Sequence, residues 1–232
     1  MKFSLIIPCY NEAANLPSLL ERCKELVTTP GIEVILVDNG STDDTRAILL
    51  DLLPSYPGCR SVRLEKNQGY GFGVLSGLAA ATSTILGWTH ADMQTDPKDT
   101  LCGLGLFAEH GEHIFVKGRR RGRQLADVAF TVGMSAFETL LLAQPLWDIN
   151  AQPTMFSREF YDTWRAAPYD FSLDLYAYYH ARRLGLSVHR FPVRFRQRMH
   201  GESRWNVNWV GKRKFIRRTL DFSFELKRRT GT

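Results

Sequence analysis

Short apolar runs alternate with amphipathic stretches through the first half of the chain. Residues 3–8 are an apolar run broken by Pro8 and followed by Asn11 and Glu12. Leu16, Leu19, Leu20, Cys23 and Leu26 then recur at helical spacing. Residues 32–37 are apolar and β-branched, as a buried strand requires, and run into the turn cluster Asp38-Asn39-Gly40-Ser41. Thr42 stands where it can cap a helix carrying Ile48, Leu49, Leu52 and Leu53. Residues 61–64 predict a third strand, and a glycine-rich stretch leads into a small-residue helix at about 73–82. Residues 84–89 predict a fourth strand ending at His90-Ala91-Asp92, Pro97 opens another helix, and residues 113–117 predict a fifth strand. Strand–helix alternation with loops of this length predicts an α/β fold, with a mostly parallel sheet flanked by helices on both faces. Polar residues gather where strands end, which is where ligands bind in open α/β sheets.

The second half reads differently. Residues 118–123 are a basic turn, and 125–142 form one long helix with an apolar face. Residues 145–156 are irregular and then extended. Residues 174–184 are helical up to Gly185, 188–195 alternate as a strand, and 206–229 form a basic amphipathic helix. No stretch approaches 18 consecutive apolar residues, so no membrane-spanning helix is expected. The first ten residues are too short an apolar run for a signal peptide. Without repeats or a clear linker, the reading is one continuous domain over 1–205 followed by the helix 206–232.

Composition narrows the class. Apolar residues make up 44% and charged residues 23%, which excludes a disordered or collagen-like chain. The four cysteines (Cys9, Cys23, Cys59 and Cys102) form no CxxC pair, which fits a reduced, cytoplasmic setting and argues against zinc. The net charge of +6 hides an asymmetry: residues 1–110 hold 8 Lys and Arg against 13 Asp and Glu, whereas 111–232 hold 22 against 11. The acidic half could hold a metal ion, and the basic half could meet an anionic partner.

Three polar clusters close successive predicted strands: Pro8-Cys9-Tyr10-Asn11-Glu12, Val37-Asp38-Asn39-Gly40-Ser41-Thr42-Asp43, and His90-Ala91-Asp92-Met93-Gln94-Thr95-Asp96-Pro97. With the segment NQGYGFGVLSG starting at Asn67, they resemble, in order, the signature blocks of inverting family 2 glycosyltransferases with a GT-A fold. The later block FPVRFRQRMHGESRW resembles the tail motif of the branch that loads sugars onto polyprenyl phosphates, the dolichyl-phosphate mannose synthase-like group. The resemblance spans roughly residues 3–205.

The resemblance implies a Rossmann-like sheet, a UDP- or GDP-linked sugar donor, a Mg²⁺ or Mn²⁺ ion, and inverting transfer to a lipid phosphate at the cytoplasmic membrane face. Its donor-binding positions are Pro8, Tyr10, Asn11, Glu12, Asp38, Asn39, Gly40, Ser41, Asn67, Gly69, His90, Ala91 and Asp92. A carboxylate at a strand end such as Asp38 can accept hydrogen bonds from a base or ribose, and Gly40 and Ser41 let the backbone turn sharply beside it. The family's usual Asp-x-Asp has His90 in its first position here, which leaves Asp92 as the leading metal ligand with Gln94 second. Hard divalent ions prefer such oxygen ligands. Arg120 matches the family's Gly-Ser-Arg segment, and Arg198, Ser203 and Arg204 match the tail, with Arg204 in place of the commoner lysine. Arginine forks suit phosphate oxygens, so Arg120, Arg198 and Arg204 are expected to hold the donor diphosphate and the acceptor phosphate. Asp148 with Gln152 resembles the D-x-x-x-G-F block, with Pro153 standing for its phenylalanine. Asp174 aligns with an acidic residue of the family.

Mechanism depends on the acceptor. A phosphate monoester is largely dianionic at neutral pH and needs no general base, whereas a hydroxyl acceptor on a glycan needs one. Asp174 and Asp148 are the carboxylates for that role. Two other readings remain on the sequence. A nucleic-acid binder would explain the basic half but lacks an RRM, KH or zinc signature. A nucleotidyltransferase would need a glycine-rich first loop with arginine, which Pro8-Cys9-Tyr10-Asn11 does not supply. The tail, with 9 Lys and Arg against 2 Asp and Glu over 204–232 and with Trp205 and Trp209, reads either as a helix lying on an anionic membrane or as a packed helix with a charged outer face.

Overall fold

The computed structural model describes residues 1–200 and 209–230. Seven strands form one mixed sheet: β1 (Phe3–Cys9), β2 (Ile32–Asn39), β3 (Cys59–Leu64), β4 (Ile85–Trp88), β5 (Ile114–Arg121), β6 (Thr154–Ser157) and β7 (Ser187–Arg194), in the spatial order β3-β2-β1-β4-β6-β5-β7. The helices are α1 (Leu16–Val27), α2 (Thr45–Leu52), α3 (Tyr70–Ala80), α4 (Thr100–His110), α5 (Leu125–Leu142), α6 (Arg158–Asp162), α7 (Leu173–Arg183) and α8 (Trp209–Thr230).

Strands β1, β2 and β4 are apolar along both faces because each face is covered. Ile6, Ile35 and Val37 pack with Val74 and Leu78 of α3, while Leu5, Ile7, Val34 and Leu36 pack with Leu16, Leu19, Leu20 and Cys23 of α1. β1 pairs in parallel with β2 and β4, β2 with β3, and β5 with β7. Only β6 runs against its neighbours, β4 and β5. The sheet is therefore mostly parallel, and the carboxyl ends of β1, β2 and β4 bring the three polar clusters to one edge.

The structure departs from the sequence reading in several places. Gly118–Arg121 is not a turn. It continues β5, paired with β7 as far as Arg121 opposite Arg194, and the chain turns at Gly122 with φ of 80°. Interstrand hydrogen bonding overrides the exposed, basic character of those residues. Thr42 caps no helix: α2 begins at Thr45, and the Thr42 amide instead donates to Asn11 Oδ1 at 2.8 Å. Pro97 opens a 3₁₀ turn, Pro97–Asp99, which leads into α4.

The expectation that no helix could span a membrane is also corrected. Among the described residues, α5 is long and apolar enough to do so by length and composition, and only 17% of it is buried. Its apolar residues are interrupted by Asp127, Gly133 and Glu138, which keeps every uninterrupted run short while the average stays high. Helix α8 packs along α5: Ser223 Oγ donates to Glu138 Oε1 at 2.7 Å, the Phe137 and Phe224 ring centroids are 6.3 Å apart, and Leu226 is buried in the core.

Candidate active site

The loops after β1 and β2 are laced together. Asn11 adopts a left-handed backbone, φ 58°, and its amide donates to Ser41 Oγ at 3.1 Å. The Glu12 amide donates to Thr45 Oγ1 at 2.9 Å. Asp38, only 2% exposed, accepts from the Ser41 amide at 2.9 Å, and its other oxygen is paired with Arg63. Asp38 and Arg63 are directly opposite in the β2–β3 register. Sequence reasoning did not single out Arg63, and only the strand register exposes it.

Two glycines are required here by space. Gly40 has φ of 69°, and a Cβ on it would lie 2.5 Å from the Asn67 amide nitrogen. Gly69 has φ of 116°, and a Cβ there would lie 2.3 Å from the Tyr169 carbonyl oxygen. Asn39 Nδ2 donates to the Gly69 carbonyl at 2.9 Å, and Asn67 Oδ1 accepts from the Gly69 amide at 2.9 Å. Pro8 borders Gly73, so the glycine-rich segment rests directly on the first two clusters.

The third cluster follows β4. Ala91 and Asp92 are buried, and Met93 has φ of 57°. Asp92 Oδ1 accepts from the Gln94 amide at 3.1 Å, and its Oδ2 is 2.9 Å from Arg198 Nη2. The Arg196 amide donates to the Gln94 carbonyl at 2.8 Å, and Gln94 Nε2 donates to the Arg196 carbonyl at 3.2 Å. The segment after β7 is thus strapped across the β4 loop. Burial, aided by the negative charge of Asp92, raises the Glu12 carboxyl, against an opposing hydrogen bond from Asn15. The half-buried His90 ring lies 5.5 Å from that of Tyr70, which stacks on Phe171 at 4.6 Å.

The basic side is equally ordered. Arg120 pairs with Asp148, with Nε at 3.0 Å, and Arg123 Nη1 lies 3.7 Å from the same oxygen. Both guanidinium groups lie over the Phe195 ring. Burial alone would raise the Asp148 carboxyl, but the hydrogen bond and charge of Arg120, with the charge of Arg123, outweigh it and hold the group below its ordinary value. Asp174 is buried and accepts from Gln152 Nε2 at 2.6 Å, and burial raises it despite the favourable charges of Lys117 and His90. Asp148 and Gln152 therefore part company: one holds Arg120, the other Asp174. Tyr10 sits half-buried in the loop beside Asn11, and Ser203 and Arg204 lie outside the described residues.

A cleft opens beside Arg120, between α5, α7 and α8, with Phe130, Met134, Glu138, Phe171 and Thr219 in its walls. Among the described residues, no three His, Cys, Asp or Glu side chains converge on a point that could hold a metal. The two expected ligands of a hard divalent ion, Asp92 and Gln94, share one loop, and both Asp92 oxygens are bonded, to the Gln94 amide and to Arg198. That sparse set suits an ion that takes its other ligands from phosphate oxygens and water.

The glycosyl transferase family 2 profile matches residues 4–174, and the chain belongs to that family. It is 34% identical over 104 residues to the undecaprenyl-phosphate 4-deoxy-4-formamido-L-arabinose transferase of Sodalis glossinidius, covering 42% of this chain and 31% of that one. It is 34% identical over 128 residues to the enzyme of the same name from Photorhabdus laumondii, covering 53% and 38%. The matched part thus spans about a third of these relatives' length, 31% and 38%. Among solved structures, the mannosyltransferase of Pyrobaculum calidifontis in complex with GDP-Man and Mn²⁺ superposes with a TM-score of 0.71 at 20% identity, over 98% of this chain and 64% of that one. Glucosyl-3-phosphoglycerate synthase from Mycobacterium tuberculosis with UDP superposes with a TM-score of 0.72 at 23% identity, over 96% and 80%. These likenesses define the fold as GT-A.

Proposed function

We propose that the protein transfers a sugar, with inversion, from a UDP- or GDP-linked donor to a polyprenyl phosphate. The observation that carries this reading is the closure of Asp92, in the loop after β4, onto Arg198 of the strap after β7. One side of that junction attracts cations and the other attracts phosphates. The names of the relatives from Sodalis and Photorhabdus support the acceptor class.

In this reading the laced loops carrying Asn11, Glu12, Asp38 and Ser41 receive the nucleoside, with Arg63 holding Asp38 in place. Asp92 and Gln94 would hold Mn²⁺ or Mg²⁺, which would neutralise charge on the departing diphosphate. Arg198 supplies further positive charge on the donor side. Arg120, Arg123 and, beyond the described residues, Arg204 and Ser203 orient the acceptor phosphate. Asp174 and Asp148 are both already bonded, to Gln152 and to Arg120. That favours an acceptor that is its own nucleophile: a phosphate dianion attacks the anomeric carbon without a protein base.

The lipid points to a membrane, and we place the protein peripherally at its cytoplasmic face, with 1–205 as the catalytic unit and 206–232 as part of the docking surface. On α5, Leu125 and Leu140 are 87% and 83% exposed, and on α8, which packs along α5, Arg213, Arg217, Arg228 and Arg229 are exposed. An exposed apolar helix packed against one with exposed arginines suits an anionic headgroup layer. The test is transfer of labelled sugar from a panel of UDP and GDP donors to a short polyprenyl phosphate, a polyprenol and a glycan, with and without Mn²⁺. Transfer to the phosphate alone is expected. Transfer only to a hydroxyl, or no stabilisation by any nucleotide, overturns the reading.

A further inference from the structure

Lys117 is the one lysine or arginine buried in the core among the described residues. It points from β5 to the same side as Phe115, where its ammonium lies 5.9 Å from the Phe115 ring centroid and 5.8 Å from that of Tyr178. An apolar side chain would fill this place without the cost of desolvating a charge. What the lysine adds is a set of polar links. Its Nζ donates to Thr154 Oγ1 of β6 at 2.7 Å and lies 4.0 Å from Asp174 Oδ1 on α7.

The same Asp174 oxygen accepts from Gln152 Nε2 at 2.6 Å. Gln152 Oε1 is buried without a hydrogen-bond partner among the described residues, so the bond to Asp174 is what orients this amide. Gln152 and Thr154 flank Pro153, whose carbonyl accepts from the Gly118 amide at 2.9 Å. A Cβ on Gly118 would lie 2.1 Å from the Gln152 carbonyl oxygen, so β5 and this loop are in close contact. The loop begins at Asp148, which holds Arg120 and Arg123. Of the positions where this chain departs from the D-x-x-x-G-F pattern, Gln152 bonds the lysine's partner Asp174, and Pro153 bonds Gly118, the residue after the lysine in β5.

We propose that Lys117 is a positioning residue for the transfer reaction: by pairing with Asp174 inside the sheet, it fixes Gln152 and the 148–154 loop, and through Asp148 the guanidinium of Arg120. The role rests on the functional reading above. The charges bearing on Lys117 come from every side. Asp174 on α7 and Asp148 in the loop favour its protonation, while Arg190 on β7 and Arg120 on β5 oppose it. Burial outweighs all four and brings Lys117 down to about 7, so the pair changes its charge near neutrality.

The full chain is compared as wild type, Lys117→Met, Asp174→Asn and the double variant. The readouts are acceptor KM and kcat across the neutral range, donor-nucleotide affinity, and nuclear magnetic resonance of ¹³Cε-labelled lysines. In the wild type one lysine signal is expected to titrate near 7. That signal is absent from Lys117→Met and titrates lower still in Asp174→Asn, where the favourable carboxylate charge is gone. Lys117→Met raises acceptor KM about tenfold and loses the neutral pH transition, with donor affinity nearly unchanged, because a shifted Arg120 misplaces the nucleophile. The double variant, with neither buried charge unpaired, regains melting temperature but keeps the raised KM. A folded Lys117→Met with wild-type KM and pH profile overturns the positioning role, as does a loss of donor affinity and KM in step with unfolding. A wild type that transfers no sugar while its lysine titrates as described overturns the functional reading itself, and this role with it.

Discussion

Arg198 Nη2 lies 2.9 Å from Asp92 Oδ2, adding an ion pair to the two hydrogen bonds between Arg196 and Gln94 that strap the segment after β7 across the loop after β4. Asp92 is 4% exposed, so its charge is balanced chiefly by this guanidinium and by the Gln94 amide. In the proposed reading, a divalent ion at Asp92 would compete with the Arg198 guanidinium for the same carboxylate.

Arg198→Ala should therefore bind Mn²⁺ more tightly than the wild type in the absence of nucleotide, yet transfer sugar about a hundredfold more slowly, because a phosphate-binding cation is gone. Asp92→Asn should lose the metal response altogether. Titration calorimetry with Mn²⁺, followed by turnover assays, separates the two. Weaker metal binding in Arg198→Ala would contradict the competition.

Glu138 gives a pH dependence with a definite sign. Burial raises its carboxyl to about 7, against the opposing hydrogen bond from Ser223. The folded protein keeps a proton that the unfolded chain, with the ordinary value of 4.5, releases. Its contribution to stability is full below 4.5 and is lost as pH rises to about 7, an effect on the order of 3 kcal/mol at most. Glu138→Gln should match the wild type near pH 4.5 and exceed it at pH 8 in denaturant midpoint. Lys117 acts in the opposite sense and in a separate window: stability rises as pH climbs from about 7 to the ordinary 10.5.

Arg63 stands opposite Asp38 in the sheet, and Asp38 is buried. Arg63→Met leaves that carboxylate with the Ser41 amide but no cation. Removing one partner of a buried pair costs about 3 kcal/mol. A lowered melting temperature and weaker binding of UDP or GDP are expected together; nucleotide binding equal to wild type would remove Asp38 from the donor site.

The glycines divide by conformation. Gly40→Ala and Gly69→Ala place a Cβ against backbone at positive φ and should each cost about 2 kcal/mol or more, with nucleotide binding impaired. Gly105→Ala, inside α4 with nothing within 4 Å, should stabilise by about 0.5–1 kcal/mol. Chemical denaturation of the three variants checks both signs.

Leu125 and Leu140 are exposed on α5, so replacing both with glutamate should leave the melting temperature unchanged. Retention on anionic vesicles should fall sharply, while transfer to a short, water-soluble acceptor continues. Undiminished flotation with vesicles would rule α5 out as the docking element.

The left half of the sheet was legible in the chain because strands buried on both faces must be apolar throughout, and their ends are marked by the polar residues that follow. The bounds of β1 and β2 differ from the pattern by only one or two residues, and α5 matches it at both ends. β5 was read too short, since Gly118, Arg119, Arg120 and Arg121 have the composition of a turn and become strand only through pairing with β7. In the site, Asp38, Asp92 and the glycines were visible as strand-end residues. Arg63 and Lys117 were not, because a cation in a strand carries no sign of what lies opposite it.

The order of the strands' polar endings, and with it the family, was determined by local sequence, since turn chemistry and apolar period depend on neighbours along the chain. Which groups face each other was decided only by the fold: Arg198 against Asp92, Lys117 against Asp174, and α5 with most of its apolar face uncovered. Periodicity specifies that a helix has an apolar side. Whether that side meets a core or stays open depends on strand register and helix packing, which bring together residues far apart in the chain.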